Sequence, residues 1–196
     1  MKLEDFSQQL GSDQPAPGGG AAAGYILSLA AAAAQKAMVF SKPENYEKIH
    51  DFLEMVRKDG LYLCSEDQRT FLEWQNARKL PKDTDEQKAI RTAEVNRTAA
   101  ECASVPVTIG IAAKALLIKL QNLLPVCKKF LISDISCAVS FALAALQAAR
   151  VNVEINLPYV KDEKVLENII NFLQDFDEVT VRANKLIEDC RKAILN

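Results

Sequence analysis

The sequence predicts an all-α protein, a bundle of long helices, and three observations lead there. Apolar residues recur every three or four positions through most of the chain, the period of a helix with one face in a core. No Asn-Gly type of hairpin signal and no sustained alternation of period two occurs anywhere. Breakers cut the chain into pieces of helical length: GSDQPAPGGG at 11–20, then Pro43, Pro81, Pro106, Pro125 and Pro158. At 196 residues, 49% of them hydrophobic, the chain suffices for one domain over 1–196 with a sizeable core.

In order, residues 2–10 form a short amphipathic helix with Leu3, Phe6 and Leu10 on one side. The glycine triplet Gly18, Gly19 and Gly20 allows positive φ and close backbone approach and feeds directly into a helix over Ala21–Phe40, which is rich in Ala. Those small side chains suit close helix–helix contact, within the chain or across a dimer. From Tyr46 a stripe of Ile49, Leu53, Val56, Gly60, Leu63, Phe71 and Trp74 marks a long helix, weakened at Gly60. A connector over 76–86 offers Thr84 or Asp85 as a cap. A helix over 85–104 follows, with Ile90, Ala93, Ala100 and Ala103 inward; Pro106 interrupts it, and 107–124 resumes it. Leu131–Leu157 reads as one buried helix of about seven turns. Residues 162–196 make a last amphipathic helix with room for one break. The Ala-rich and central helices offer more apolar surface than one bundle of this length covers, which points to a homodimer with the ligand site at or near the interface.

Composition removes several function classes. Net charge is −2 and no arginine-rich run occurs, so no nucleic-acid partner is expected. The five cysteines show no CxxC spacing and read as small core residues of a reducing compartment. With His50 the single histidine, a His-rich metal site and a His-based dyad are both disfavoured, leaving carboxylates, lysines, cysteines or tyrosines for acid–base work. The start MKLEDFSQQL is unlike a signal peptide, and the run Ala21–Ala34 is too short to span a bilayer. A cytoplasmic protein with no membrane association is expected.

Polar residues in apolar helices are the site candidates. Asp134 lies one turn into the central helix, and Asn152 and Asn156 near its end; eighteen residues, about five turns, put Asp134 and Asn152 on one face. Either Ser133 or Asp134 caps the helix and the amides tie it to its neighbours, or these side chains face a ligand. Asp67 occupies the slot between Leu63 and Phe71 on a buried face, where a carboxylate needs a cationic partner or a raised pKa. The triplet before a helix start is either a hinge or a seat for a ligand oxygen.

Taken together, Ser12 with ProAlaProGlyGlyGlyAlaAlaAla at 15–23, GluAspGlnArgThrPhe and AlaArgLysLeuProLys within 66–82, SerAsp at 133–134 and AsnValGluIleAsnLeu at 152–157 resemble the cyclodeaminase/cyclohydrolase family. That family includes the cyclodeaminase part of formiminotransferase-cyclodeaminase and stand-alone methenyltetrahydrofolate cyclohydrolases. The likeness runs over nearly the whole chain, with two departures: Ala21 stands where the family usually has Ser, and CysLysLysPhe at 127–130 replaces a Gly-Asn-x-Asn-like turn. The resemblance implies a dimeric helical bundle and an enzyme acting on C–N bonds of a reduced folate, a hydrolase or a lyase, with the folate as substrate and no cofactor or metal. It implies Asp134, with Asp67 second, as the proton-transferring carboxylate. Pro17, Gly18, Gly19, Gly20, Ser133, Asn152 and Asn156 would hold the pterin or its one-carbon unit. Lys128 and Lys129 would meet the glutamate-tail carboxylates, or stand as a solvated pair. The departures motivate a competing reading, a helical dimer of the same fold that serves binding or assembly without catalysis.

Overall fold

The computed structural model describes residues 2–195. Among them the secondary structure is helical throughout, with no strand. The α-helices are α1 (Leu3–Leu10), α2 (Gly19–Ser41), α3 (Tyr46–Ala77), α4 (Asp85–Leu123), α5 (Ile132–Asn156), α6 (Glu163–Gln174) and α7 (Phe176–Leu195). Single 3₁₀ turns at Leu124–Val126, Lys129–Leu131 and Leu157–Tyr159 carry the chain into and out of α5. Helix α5 is the axis of the bundle and packs on α2, α4 and α7, while α3 closes over α2 and α4. Leu27, Leu53, Ile109, Leu116, Ile135 and Leu146 are fully buried between them.

The α2–α3 crossing rests on two glycines. A Cβ at Gly60 would lie 2.7 Å from the Ser28 N and 2.8 Å from the Gly24 carbonyl, and one at Gly24 would lie 2.7 Å from the Cys64 N. All the obstructing atoms are backbone, so no side chain can rotate out of the way. The reading of Gly60 as a weak point therefore needs correcting: it is where the two helices touch. Gly60→Ala gains about 1 kcal/mol of helix propensity but forces the helices apart, at a cost of about 1–3 kcal/mol or more for overpacking. The expected net effect is destabilisation, read as a lower urea midpoint at unchanged m-value.

Several local expectations change in the tertiary context. Pro106 does not interrupt a helix, because α4 runs through it. Its ring is buried in a stretch where Ala103, Val107, Ile109 and Ala113 are also buried, and packing on both sides outweighs a local cost of about 3 kcal/mol. Beside it Ser104 donates to the Ala100 carbonyl at 2.8 Å and Thr108 to the Ser104 carbonyl at 2.9 Å. Ile90 and Ala93 are exposed rather than inward, since the first turns of α4 extend past the core. Leu3 and Leu10 are likewise exposed, leaving Phe6 as the only anchor of α1. Cys137 is exposed and Cys127 half-buried, so only Cys64, Cys102 and Cys190 behave as core residues. No glycine has positive φ; the triplet serves close approach instead.

Thr84 caps α4, accepting from the Gln87 N–H at 3.2 Å in a reciprocal capping box. The break in the last helix falls at Asp175. The buried Lys114 of α4 donates there to the Phe172 carbonyl and pairs with the Asp175 carboxylate, its ammonium 4.9 Å from the Phe172 ring centroid. By length and hydropathy α2, the stretch Asp85–Val126 and the stretch Lys129–Tyr159 are each apolar enough to cross a membrane, a wider reach than the run 21–34 suggested. Half or slightly more of each apolar window is buried within the bundle.

Candidate functional site

A cleft of about 270 Å³ opens where the start of α2, the last third of α3 and the end of α5 converge. Its floor is Gly18, Gly19 and Gly20 with Pro15 and Ala16 of the preceding loop. Asp67 and Cys102 lie to one side, and Asn152, Asn156 and Ile155 to the other. Phe71, Trp74 and Tyr159 form an aromatic wall.

Asp67 is the only carboxylate in this lining. A Cβ at Gly20 would run into its carboxylate, so the absence of a side chain at Gly20 is what lets Asp67 reach the first turn of α2. There it accepts from the Ala21 N–H, doing for the helix end what the N-cap, Gly18, cannot do without a side chain. Two effects oppose each other on the acid. Burial disfavours the anion, and the N–H and the helix dipole favour it. Burial wins, and the carboxyl is pushed up from 3.8 to about 6. The alternative foreseen for this residue, a salt bridge to Lys or Arg, does not occur among the described residues. Burial, reinforced by the nearby Asp67 charge, also pushes the Cys102 thiol up to about 11. It is therefore a protonated, weakly nucleophilic wall residue. Asp67 thus titrates close to neutrality in an apolar setting, as a general acid or base requires.

The opposite side supplies neutral hydrogen-bonding groups. Asn152 donates to the Ala148 carbonyl of its own helix at 2.8 Å, which fixes the amide against Gly19, where an added Cβ would lie 3.5 Å from its Nδ2. Asn156 follows one turn later on the same face. Trp74 and Tyr159 pack with ring centroids 5.0 Å apart, and the Arg78 guanidinium lies 4.8 Å from the Trp74 ring. The Trp74 indole N–H is buried with no acceptor among the described residues. Trp74 is the only tryptophan of the chain, so its fluorescence reports on this cleft alone.

Of the residues singled out from sequence, Gly18, Gly19, Gly20, Asp67, Asn152 and Asn156 come together here. Pro17 is buried behind the loop, after a cis peptide bond, and does not line the cleft. Ser133, Asp134, Lys128 and Lys129 lie at the other end of α5. Eighteen residues at 1.5 Å each separate Asp134 from Asn152 by about 27 Å. Neither Ser133 nor Asp134 caps the helix; the N-cap is Leu131, without a side-chain bond. Lys129 and Ser133 border an open depression with Phe130 and Ile194, and the Lys128 N–H donates to Ser41 Oγ at 3.0 Å. Phe71, Trp74 and Cys102 read as core from sequence because a cleft wall shares the helical period of a core stripe. Tyr159, one residue past Pro158, carried no periodic signal. The described residues hold no group of three or more His, Cys, Asp or Glu placed to bind a metal ion.

The formiminotransferase-cyclodeaminase family model matches residues 2–175. Methenyltetrahydrofolate cyclohydrolase of Methylorubrum extorquens is 28% identical over 202 residues, covering 99% of this chain and 97% of its own. Formimidoyltransferase-cyclodeaminase of Gallus gallus is 28% identical over 174 residues, which is 83% of this chain and 31% of that protein. The crystal structure of formiminotetrahydrofolate cyclodeaminase from Thermotoga maritima matches with a TM-score of 0.81 at 25% identity, over 96% of both chains. A family match through nearly nine-tenths of the chain, with end-to-end likeness in sequence and in fold, shows that this protein belongs to the formiminotransferase-cyclodeaminase family.

Proposed function

We propose that the cleft binds a reduced folate and that the protein catalyses C–N bond chemistry at the one-carbon centre between its N5 and N10. The chemistry is either hydrolysis of the 5,10-methenyl cation or cyclodeamination of the 5-formimino compound. The observation that carries this reading is Asp67: an unpaired carboxylate with a pKa near 6, set among amides, glycines and aromatic rings in a cleft sized for a compact head group. The names of the relatives supply the substrate class.

Both reactions pass through a tetrahedral carbon bonded to two nitrogens. In hydrolysis, water attacks the amidinium carbon and loses a proton; the C–N5 bond then breaks, N5 takes a proton, and the 10-formyl compound leaves. In cyclodeamination, N10 attacks the formimino carbon and gives up its proton; the amino nitrogen gains one and departs as ammonia. Each needs a base at the attacker, an acid at the leaving nitrogen and negative charge near the cationic bridge. Asp67 in its ionised form supplies the base and the charge. Asn152, Asn156 and the glycine floor offer neutral donors and acceptors to the pterin, and the aromatic wall offers it flat apolar surface. We further read the protein as a cytoplasmic homodimer in which apolar helix faces meet each other rather than lipid, a reading supported by the burial of about half of each apolar window inside the bundle.

The test follows methenyltetrahydrofolate by its near-ultraviolet absorbance, with loss reporting hydrolysis and gain from the formimino compound reporting cyclodeamination. Acceleration of either above the uncatalysed rate supports the reading. Absence of both favours the non-catalytic dimer. A pH profile adds a sharper expectation. After subtraction of the background, kcat/KM for hydrolysis should rise with pH through about 6 as Asp67 ionises, and the inflection should be missing in Asp67→Asn.

A further inference from the structure

We propose that Arg78 binds the carboxylates of the substrate's aminobenzoyl-glutamate arm, and that the arm runs along the aromatic wall from the pterin beside Asp67 to this cation at the mouth of the cleft. The inference rests on the reading of the cleft as a folate site given above. Asp67, Phe71, Trp74 and Arg78 follow one another along α3 at intervals of four, three and four residues, which places them on one face of the helix. Arg78 stands just past the last turn, and its backbone is still helical, so the stripe continues to the edge of the connector. Read outward, the stripe is an acid, two aromatic rings and a cation. A folate presents in the same order a one-carbon centre between two nitrogens, an aryl ring and two carboxylates.

The dimensions agree with this order. A cleft of about 270 Å³ falls just below the range of about 300–1,000 Å³ for sites that enclose a whole drug-sized ligand. It takes the bicyclic head group and leaves the arm to lie along the wall. Eleven residues at 1.5 Å each put Arg78 about 16 Å from Asp67 along the helix. The guanidinium folds back to 4.8 Å from the Trp74 ring centroid, which shortens the span the arm must cover. Trp74, whose buried indole N–H has no acceptor among the described residues, stands midway, level with the amide carbonyl of the arm.

This end of the cleft also carries positive charge that nothing neutralises. Arg78, Lys79, Lys82 and Arg91 take part in no ion pair among the described residues, whereas Arg69 and Arg97 are each held between two glutamates. Arg91 donates from Nε and Nη2 to the Arg78 carbonyl at 3.3 and 3.1 Å. That contact ties α4 to the end of α3 and brings a second guanidinium to the same residue. Of the acids nearest in sequence, Asp85 and Glu86 lie in the first turn of α4, where the helix end favours them, and Asp85 pairs with Lys88. A guanidinium can keep its face on the indole ring while its edge meets a carboxylate. Lys128 and Lys129, the cations the family resemblance points to, lie at the far end of α5.

Calorimetric titration of the full chain tests this, with 5-formyltetrahydrofolate and with its diamide, in which both arm carboxylates are amides. The parent protein should bind the acid about tenfold or more tighter than the diamide, and the gap should narrow as salt is added. Arg78→Met keeps an apolar stem over Trp74 but no charge. It should bind both compounds with the parent's affinity for the diamide, at unchanged thermal stability. Arg78→Lys should recover part of the difference, since it restores the charge without the planar fork. Lys185→Met, exposed on α7, should leave both affinities as they are. Equal binding of the acid by Arg78→Met and the parent overturns the assignment and leaves the folate reading standing. Loss in a Lys128→Met, Lys129→Met chain with none in Arg78→Met would place the arm at the other end of α5 and overturns it as well. Failure of the parent to bind either compound removes the folate reading, and this inference with it.

Discussion

Asp67→Asn is expected to be at once nearly inactive and more stable than the parent protein above pH 6. The amide keeps the shape of the side chain and an oxygen for the Ala21 N–H, but it cannot exchange a proton, so turnover should fall by about 10²-fold or more. Stability moves the other way because burial raises the acid from 3.8 to about 6. Below pH 3.8 Asp67 is protonated in the folded and unfolded chain alike, and the substitution should be nearly neutral. As pH rises, the unfolded chain ionises first, and the stability held by the neutral carboxyl is lost progressively until about pH 6. Above that the deficit is complete, about 3 kcal/mol at most for a rise of this size. The amide does not incur it, so thermal unfolding at pH 7.5 should shift upward by several degrees and the shift should vanish near pH 3. A variant that loses activity and stability together would show that Asp67 is a structural residue. Quenching of Trp74 fluorescence by a stable reduced folate separates binding from turnover and should persist in this variant.

Gly20→Ala is expected to inactivate through Asp67 while leaving the fold intact. The added Cβ meets the end of the Asp67 carboxylate, which can swing aside, unlike the backbone atoms that oppose a Cβ at Gly24 or Gly60. The helix itself gains from Ala over Gly by about 1 kcal/mol. Helicity and the unfolding midpoint should therefore hold or improve. The carboxylate, driven from its buried seat, should lose its position and its raised pKa together. Turnover should drop by about 10²-fold, and the inflection near pH 6 should move toward the ordinary carboxylate range. An active variant with an unmoved pH profile would show that Asp67 does not need the seat that Gly20 provides.

Both variants act on Asp67, one directly and one through its seat at Gly20. Asp67 sits in the cleft of its own chain, whereas Asp134 lies near the opposite end of α5, about 27 Å from Asn152 along the helix. The family resemblance put Asp134 first and Asp67 second, and Asp134 also stands out as a carboxylate inside an almost wholly apolar helix. Which carboxylate lines the cleft of one chain depends on which helices meet there, and there it is Asp67.

Much of this protein was legible without coordinates. Helical periodicity belongs to each segment by itself, so the long helices, the cap at Thr84 and the break in the last helix followed from local pattern. The glycine triplet, Asp67 and the two asparagines stood out because each breaks the composition of its own stretch. What no local pattern contained was how the helices cross. The Gly24–Gly60 contact sets α2 against α3, and it decides that Gly20 faces Asp67 and that Phe71 and Trp74 line a cleft rather than a core. Pro106 shows the same limit from the other side: its local cost is real, but packing along the whole of α4 exceeds it. Periodicity records which face of a helix is covered, and only the packed structure decides what covers it, because close approach, desolvation and the pKa they produce are properties of helices that meet from distant parts of the chain.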